Sequence, residues 1–132
     1  MFLLIGCSPG GPAVNYVAGT VMFDGKPLDK ASVYFYPTDS SVYPAVGTTD
    51  SHGNYKLTTM QGGGVGKGAM VGEYIVAVTR QSDEPSRSQV VSGERMFFYD
   101  SLIPEKYTEQ KTSPLKFTVI KGKNRFDINI EK

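Results

Sequence analysis

The chain has no tryptophan, one cysteine and one histidine in 132 residues. The single thiol, Cys7, excludes an intrachain disulfide, so pairing says nothing about the redox compartment. A lone imidazole leaves any Ser-His-Asp triad or zinc site to be built around His52, in the turn "DSHG", where a solvated turn residue is the plainer assignment. No apolar run approaches the about 18 residues of a spanning helix. Excess charge of one sign is also missing: 14 Lys and Arg face 13 Asp and Glu, and a net of +1 gives no field to steer nucleic acid toward the surface. No nucleic-acid partner and no cofactor are expected.

What is present is turn and strand material, with 15 Gly, 8 Pro and 8 Tyr. Gly and Pro punctuate turns, and Tyr suits a half-buried pleated surface. Val17 to Phe23 alternates, with Val17, Gly19, Val21 and Phe23 on one face, and "DGKP" at 24–27 supplies a hairpin turn. Ser32 to Tyr36 sets Val33 and Phe35 inward against Tyr34 and Tyr36 outward. "AVGTTDSHGNYKLTT" divides at Asp50–Gly53 into two short strands, the first with Val46 and Thr48, the second with Tyr55 and Leu57. The clearest strand is Glu73 to Arg80, with Tyr74, Val76 and Val78 on one face. Alternation lapses from 81 to 114, a long loop whose apolar part, "MFFYDSLIPEKY", is expected to dock on the body. It returns in "LKFTVIK", a "GKN" turn and "RFDINIE", which read as a closing hairpin with Phe126, Ile128 and Ile130 on one side. About seven strands and no helical period define an all-β chain, an antiparallel β-sandwich over residues 16–131.

Three pieces carry a resemblance: G-x-V-x-F-D-G-K-P-L from Gly19, T-D-x-x-G-x-Y from Thr49, and L-I-P-x-K-Y from Leu102. They are similar to the carboxypeptidase regulatory-like domains, and more narrowly to the short secreted or lipoprotein kind found in planctomycete-type bacteria. The resemblance implies a seven-stranded Greek-key sandwich of the transthyretin (prealbumin-like) type in an extracytoplasmic setting. None of the three pieces is a catalytic motif, so it implies a non-enzymatic module with a structural or interaction role. Related sandwich enzymes, the intradiol dioxygenases and hydroxyisourate hydrolases, use several histidines where this chain has one.

Several residue groups invite chemistry. The Gly tract 62–72 misses the phosphate-loop register, because Gln61 stands where its first glycine belongs and Gly68 where its hydroxyl belongs. Asp50 could contribute to a calcium site, but no second carboxylate lies in its turn, and Asp there is favoured for capping backbone N–H groups. Tyr34, Tyr36 and Tyr43 form a candidate ligand surface on which a glycan or peptide could stack. The lack of tryptophan and the ordinary strand preference of Tyr argue for a bland alternative.

At the start, "MFLLIGCSPGG" is the one place where apolar residues run unbroken into a cysteine. Leu4-Ile5-Gly6-Cys7 resembles a bacterial lipobox, whose Cys is lipidated, and "SPGGPAVN" would be the tether over residues 1–15. An h-region is about 7 to 15 apolar residues behind a positive n-region, so Phe2 to Ile5 read as the stub of a truncated signal. The expectation is a lipid-anchored cell-envelope protein, its membrane contact made by an acyl group such as palmitate on Cys7. The other reading of Cys7 is a free thiol on a loose tail.

Overall fold

The computed structural model describes residues 14–60 and 67–132. Its strands are β1 (Tyr16–Phe23), β2 (Lys26–Pro27), β3 (Ser32–Pro37), β4 (Ala45–Thr48), β5 (Asn54–Lys56), β6 (Thr58–Thr59) and β7 (Gly72–Thr79). They continue with β8 (Arg87–Val91), β9 (Glu94–Phe98), β10 (Leu115–Val119), β11 (Lys123–Arg125) and β12 (Ile128–Ile130), with one 3-10 turn at Glu105–Tyr107. The fold is all-β. One five-stranded sheet runs β10-β7-β3-β4-β6; the other gathers β11, β12, β2 and β5 around β1; β8 and β9 form a two-stranded sheet by themselves.

The alternation read from the sequence puts the expected side chains inside. Val17 and Val21 of β1, Val33 and Phe35 of β3, and Tyr74, Val76 and Val78 of β7 are buried in one cluster with Ile128 and Ile130. Both five-stranded sheets thus share one core, an arrangement compatible with a β-sandwich. Phe35 sits at its middle, with its centroid 5.4 Å from Tyr74, 6.1 Å from Phe117 and 6.2 Å from Phe126. Phe117 and Phe126 stack at 4.6 Å and join the two sheets through their rings.

Partner choice departs from the sequence reading. "LKFTVIK" and "RFDINIE" do not form a closing hairpin: β10 pairs antiparallel with β7, whereas β11 and β12 pair parallel with β1. The sheet around β1 is therefore mixed rather than antiparallel. Asn124, buried in the crossing, accepts from the Ile120 N–H at 2.9 Å and donates to the Ile120 and Tyr16 carbonyls. Between β11 and β12 the ladder is bridged by Asp127, whose carboxylate accepts from the Thr20 N–H at 3.0 Å, and by the Phe126 N–H donating to the Ala18 carbonyl. Gly19 is required beside that crossing, because a Cβ there would overlap the Phe126 carbonyl oxygen.

The structure has twelve strand segments among its described residues where the sequence reads about seven. The additions are the two-residue β2 and β6, the division of the last strand, and β8 and β9 inside the expected loop 81–114. "MFFY" does not dock on the body: Met96 is 47% exposed, Phe97 53% and Tyr99 45%. The docking is done further along, by buried Ile103 and Tyr107.

Candidate functional site

β8 and β9 project from the end of β7 as an arm. Its tip is Ser92-Gly93, with φ of 52° and 84°, the two positive values that a tight two-residue hairpin turn needs. The pairing runs from Val91↔Glu94 to Arg87↔Phe98 and is extended toward the body by the Ser82 N–H donating to the Asp100 carbonyl at 2.8 Å. Every residue from Arg87 to Phe97 is exposed. One face carries Val91, Met96 and Phe98, with the Arg87 guanidinium 4.0 Å from the Phe98 centroid; the other carries Val90 and Phe97. Such a run of uncovered apolar side chains is the usual mark of a contact surface.

Arg80 fixes the base of this arm. It follows Tyr74, Val76 and Val78 in the inward register and is only 8% exposed. Its Nε donates to the Asp29 carbonyl at 2.6 Å, Nη1 donates to the Gln81 carbonyl, and Nη1 and Nη2 lie 3.4 and 3.3 Å from the Asp83 and Asp29 carboxylates. A buried cation needs such a set of partners to offset its lost hydration. Beside it opens a cleft of about 510 Å³ lined by Lys30, Ser32, Tyr34, Thr79, Arg80, Gln81 and Asp83. The sequence reading missed Arg80, although a cation at the next inward position of a buried strand was the signal that could have found it.

Tyr34 and Tyr36 do come together, outward on β3, with near-parallel rings 5.9 Å apart. Burial and the neighbouring Tyr34 push the Tyr36 phenol up. Both are half-buried, and Tyr34 reaches the cleft at the arm's base. Tyr43 is not part of that pair; it lies in the β3–β4 connection, where its N–H points to Met70 Sδ at 3.4 Å. Cys7 and residues 62–66 of the Gly tract lie outside the described residues, and Lys67 bridges to Thr58.

A second cleft, about 560 Å³, is lined by residues including Tyr16, Asp50, Tyr55, Lys56 and Arg125. Its ionisable groups hold the fold. The Asp50 carboxylate accepts from the Asn54 N–H at 3.0 Å and the His52 N–H at 2.9 Å, and these bonds hold it below its ordinary value. Burial pushes the Tyr55 phenol far up, with its O–H donating to the Phe126 carbonyl at 2.6 Å. His52 is exposed in its turn. Among the described residues no three His, Cys, Asp or Glu side chains gather to hold a metal, and no helix is long and apolar enough to cross a membrane.

No family model matches the chain, and no curated protein matches it. Among solved structures it is similar to the crystal structure of a 9R-lipoxygenase from Cyanothece PCC8801, with a TM-score of 0.44 and 14% identity over 96% of this chain. The chain spans 18% of that protein's length, and a likeness at that score carries no argument.

Proposed function

We propose that this protein is a non-enzymatic extracytoplasmic module, held on the membrane of a cell envelope by a lipid on Cys7, with the β8–β9 arm as its interaction element. Its relation to the carboxypeptidase regulatory-like domains, with their transthyretin-like Greek-key sandwich, belongs to the same reading. The observation that carries the interaction role is the arm itself: Val90, Val91, Met96 and Phe97 stand exposed on a hairpin that the body does not cover. The lipobox-like Leu4-Ile5-Gly6-Cys7 supports the anchor. Mass analysis of the N-terminal peptide from the native host tests it. A diacylglyceryl adduct on Cys7 is expected, with Cys7→Ser moving the protein from the membrane to the soluble fraction. An unmodified Cys7 in a cytosolic protein overturns the anchor.

A second reading, a carbohydrate- or peptide-binding module, is favoured by the Tyr34–Tyr36 pair beside a cleft lined with Lys30, Ser32, Thr79, Gln81 and Asp83. Aromatic faces next to hydrogen-bonding groups suit a sugar ring. A glycan array probed with wild type and a Tyr34→Ala, Tyr36→Ala double variant separates the two readings. Signal lost in the variant supports sugar binding, and no signal from either protein removes it.

A further inference from the structure

We infer that the arm's partner is the arm of a second copy of this chain, joined β9 to β9 in one antiparallel register centred on Met96. This rests on the reading of the arm as the interaction element and names what it meets.

The turn fixes which main-chain groups are free. In a two-residue hairpin the pair flanking the turn, here Val91↔Glu94, exchanges both of its hydrogen bonds, and bonded pairs then alternate with non-bonded ones. Gln89↔Met96 is therefore bonded, and Val90↔Arg95 and Ser88↔Phe97 are not. Arg95 and Phe97 consequently carry their N–H and C=O on the outer edge of β9, and that edge is exposed along its length. An unpaired edge of this kind is a template for another strand.

Symmetry and charge then select a register. For two copies to bond through Arg95 and Phe97 about a two-fold axis, the axis must pass Arg95, Met96 or Phe97. Centring on Arg95 sets it against itself in the second copy, and centring on Phe97 sets Glu94 against Asp100; both oppose like charges. Centring on Met96 opposes Arg95 to Phe97 twice, giving a cation over an aromatic ring at each end. It also sets Glu94 opposite Phe98, whose ring already holds the Arg87 guanidinium at 4.0 Å, so an acidic group of one copy meets a basic group of the other. Of these three registers it alone opposes no like charges. Pairing would satisfy the free main-chain groups of both β9 edges and set Met96 and Phe97 beside side chains of the second copy, and a common membrane anchor would raise the effective concentration of one arm for the other.

The test uses the full chain with Cys7→Ser, which removes its only cysteine. In this register Met96 meets its copy as a non-bonded pair with Cα atoms about 4.5 Å apart, within disulfide range. Mild oxidation should link Met96→Cys into dimers, while Gln89→Cys, on the same face but on the far strand, stays monomeric. Without cross-linking, Phe97→Arg should weaken self-association in sedimentation by about tenfold or more, through like charges brought opposite each other. The Arg95→Phe, Phe97→Arg double variant should restore it. Circular dichroism shows whether each variant remains folded, and the arm's exposure predicts that it does. A protein monomeric at its highest soluble concentration, equal cross-linking of Gln89→Cys, or no rescue by the double variant overturns the proposal. If Met96→Cys stays unlinked while the arm becomes protected on phosphatidylglycerol vesicles, the second copy is ruled out and the arm remains an interaction element. If Met96→Cys links although Cys7 carries no lipid in the host, the pairing stands and the anchor falls.

Discussion

Two hairpins in this molecule turn through the same backbone geometry in opposite surroundings. Asp24-Gly25, with φ of 50° and 82°, returns β1 into β2, and β1 is paired on both sides, with Val17 and Val21 buried beneath it. Ser92-Gly93, with nearly the same angles, returns β8 into β9, where neither face is covered. A lone two-stranded hairpin is marginal in water, so the arm depends on its base: the Arg80 bonds to Asp29 and the ladder through Ser82 and Asp100. Turn chemistry suffices to fold the chain back on itself. Burial decides whether that hairpin is a fixed wall or an appendage whose order depends on contact.

Substitutions can separate the two. The largest effect belongs to the body: Phe35→Ala, which removes the ring that touches Tyr74, Phe117 and Phe126, should cost about 3–5 kcal/mol in urea unfolding. Next is the hinge between body and arm. Arg80→Met should cost about 2–3 kcal/mol, since it leaves the Asp29 carbonyl without its charged donor, and amide exchange should speed up along Ser82–Asp100 more than in β3. Smaller again is the pair of turns. Gly25→Ala should lower global stability by about 1 kcal/mol, while Gly93→Ala should fray the arm in exchange experiments and leave the unfolding midpoint in place.

Protons act mainly on the body. Hydrogen bonds from the Ser41 N–H and hydroxyl hold the Asp39 carboxyl below its ordinary 3.8, as those from Asn54 and His52 do for Asp50. Partial burial raises Asp127, but bonds from the Thr20 N–H, Arg125 and the Thr20 hydroxyl outweigh it and hold that carboxyl low as well. A depressed carboxyl stabilises the fold above its unfolded value, so the urea midpoint should hold above pH 3.8 and fall as the pH drops below it. At the other end burial pushes the Tyr74 phenol up to about 12 from 10.0, against a lowering bond to Met70. That contribution is whole below pH 10.0 and is lost as the pH rises toward about 12. The smallest effect returns to the arm: Phe97→Ala should shift stability in dilute solution by no more than about 0.5 kcal/mol, in contrast to Phe35→Ala.

The contrast also explains what could be read in advance. β1 and β3 each bury one face and leave the other half-open, so their side chains alternate and the pattern is visible; β7 keeps the same inward set although Ala77 on its other face is buried as well. β8 and β9 have no buried face; nothing in "RSQVV" or "ERMFF" is constrained to alternate, and "SG" at 92–93 was the one signal of the turn. Alternation names a face but never a neighbour: it puts Phe126, Ile128 and Ile130 inward and does not say whether their strand pairs with β10 or with β1. Tyr34 and Tyr36 were legible as outward because Val33 and Phe35 between them are buried. Tyr43 was grouped with them by nearness in the chain, which the loop of 38–44 undoes. Arg80 extends the inward register of Tyr74, Val76 and Val78 by one position, where a charged side chain departs from the apolar pattern that marks a core.

The parallel pairing of β1 with β11 and β12 has a mechanical consequence. A pull on the chain ahead of Tyr16 is directed along β1, whose neighbours are the last strands of the domain on two registers and β5 on another. Such a force loads those ladders in shear, many hydrogen bonds at once, instead of peeling them open singly. A chain pulled from that end against its C-terminus would therefore be resisted by β1 and its neighbours before any load reached the arm.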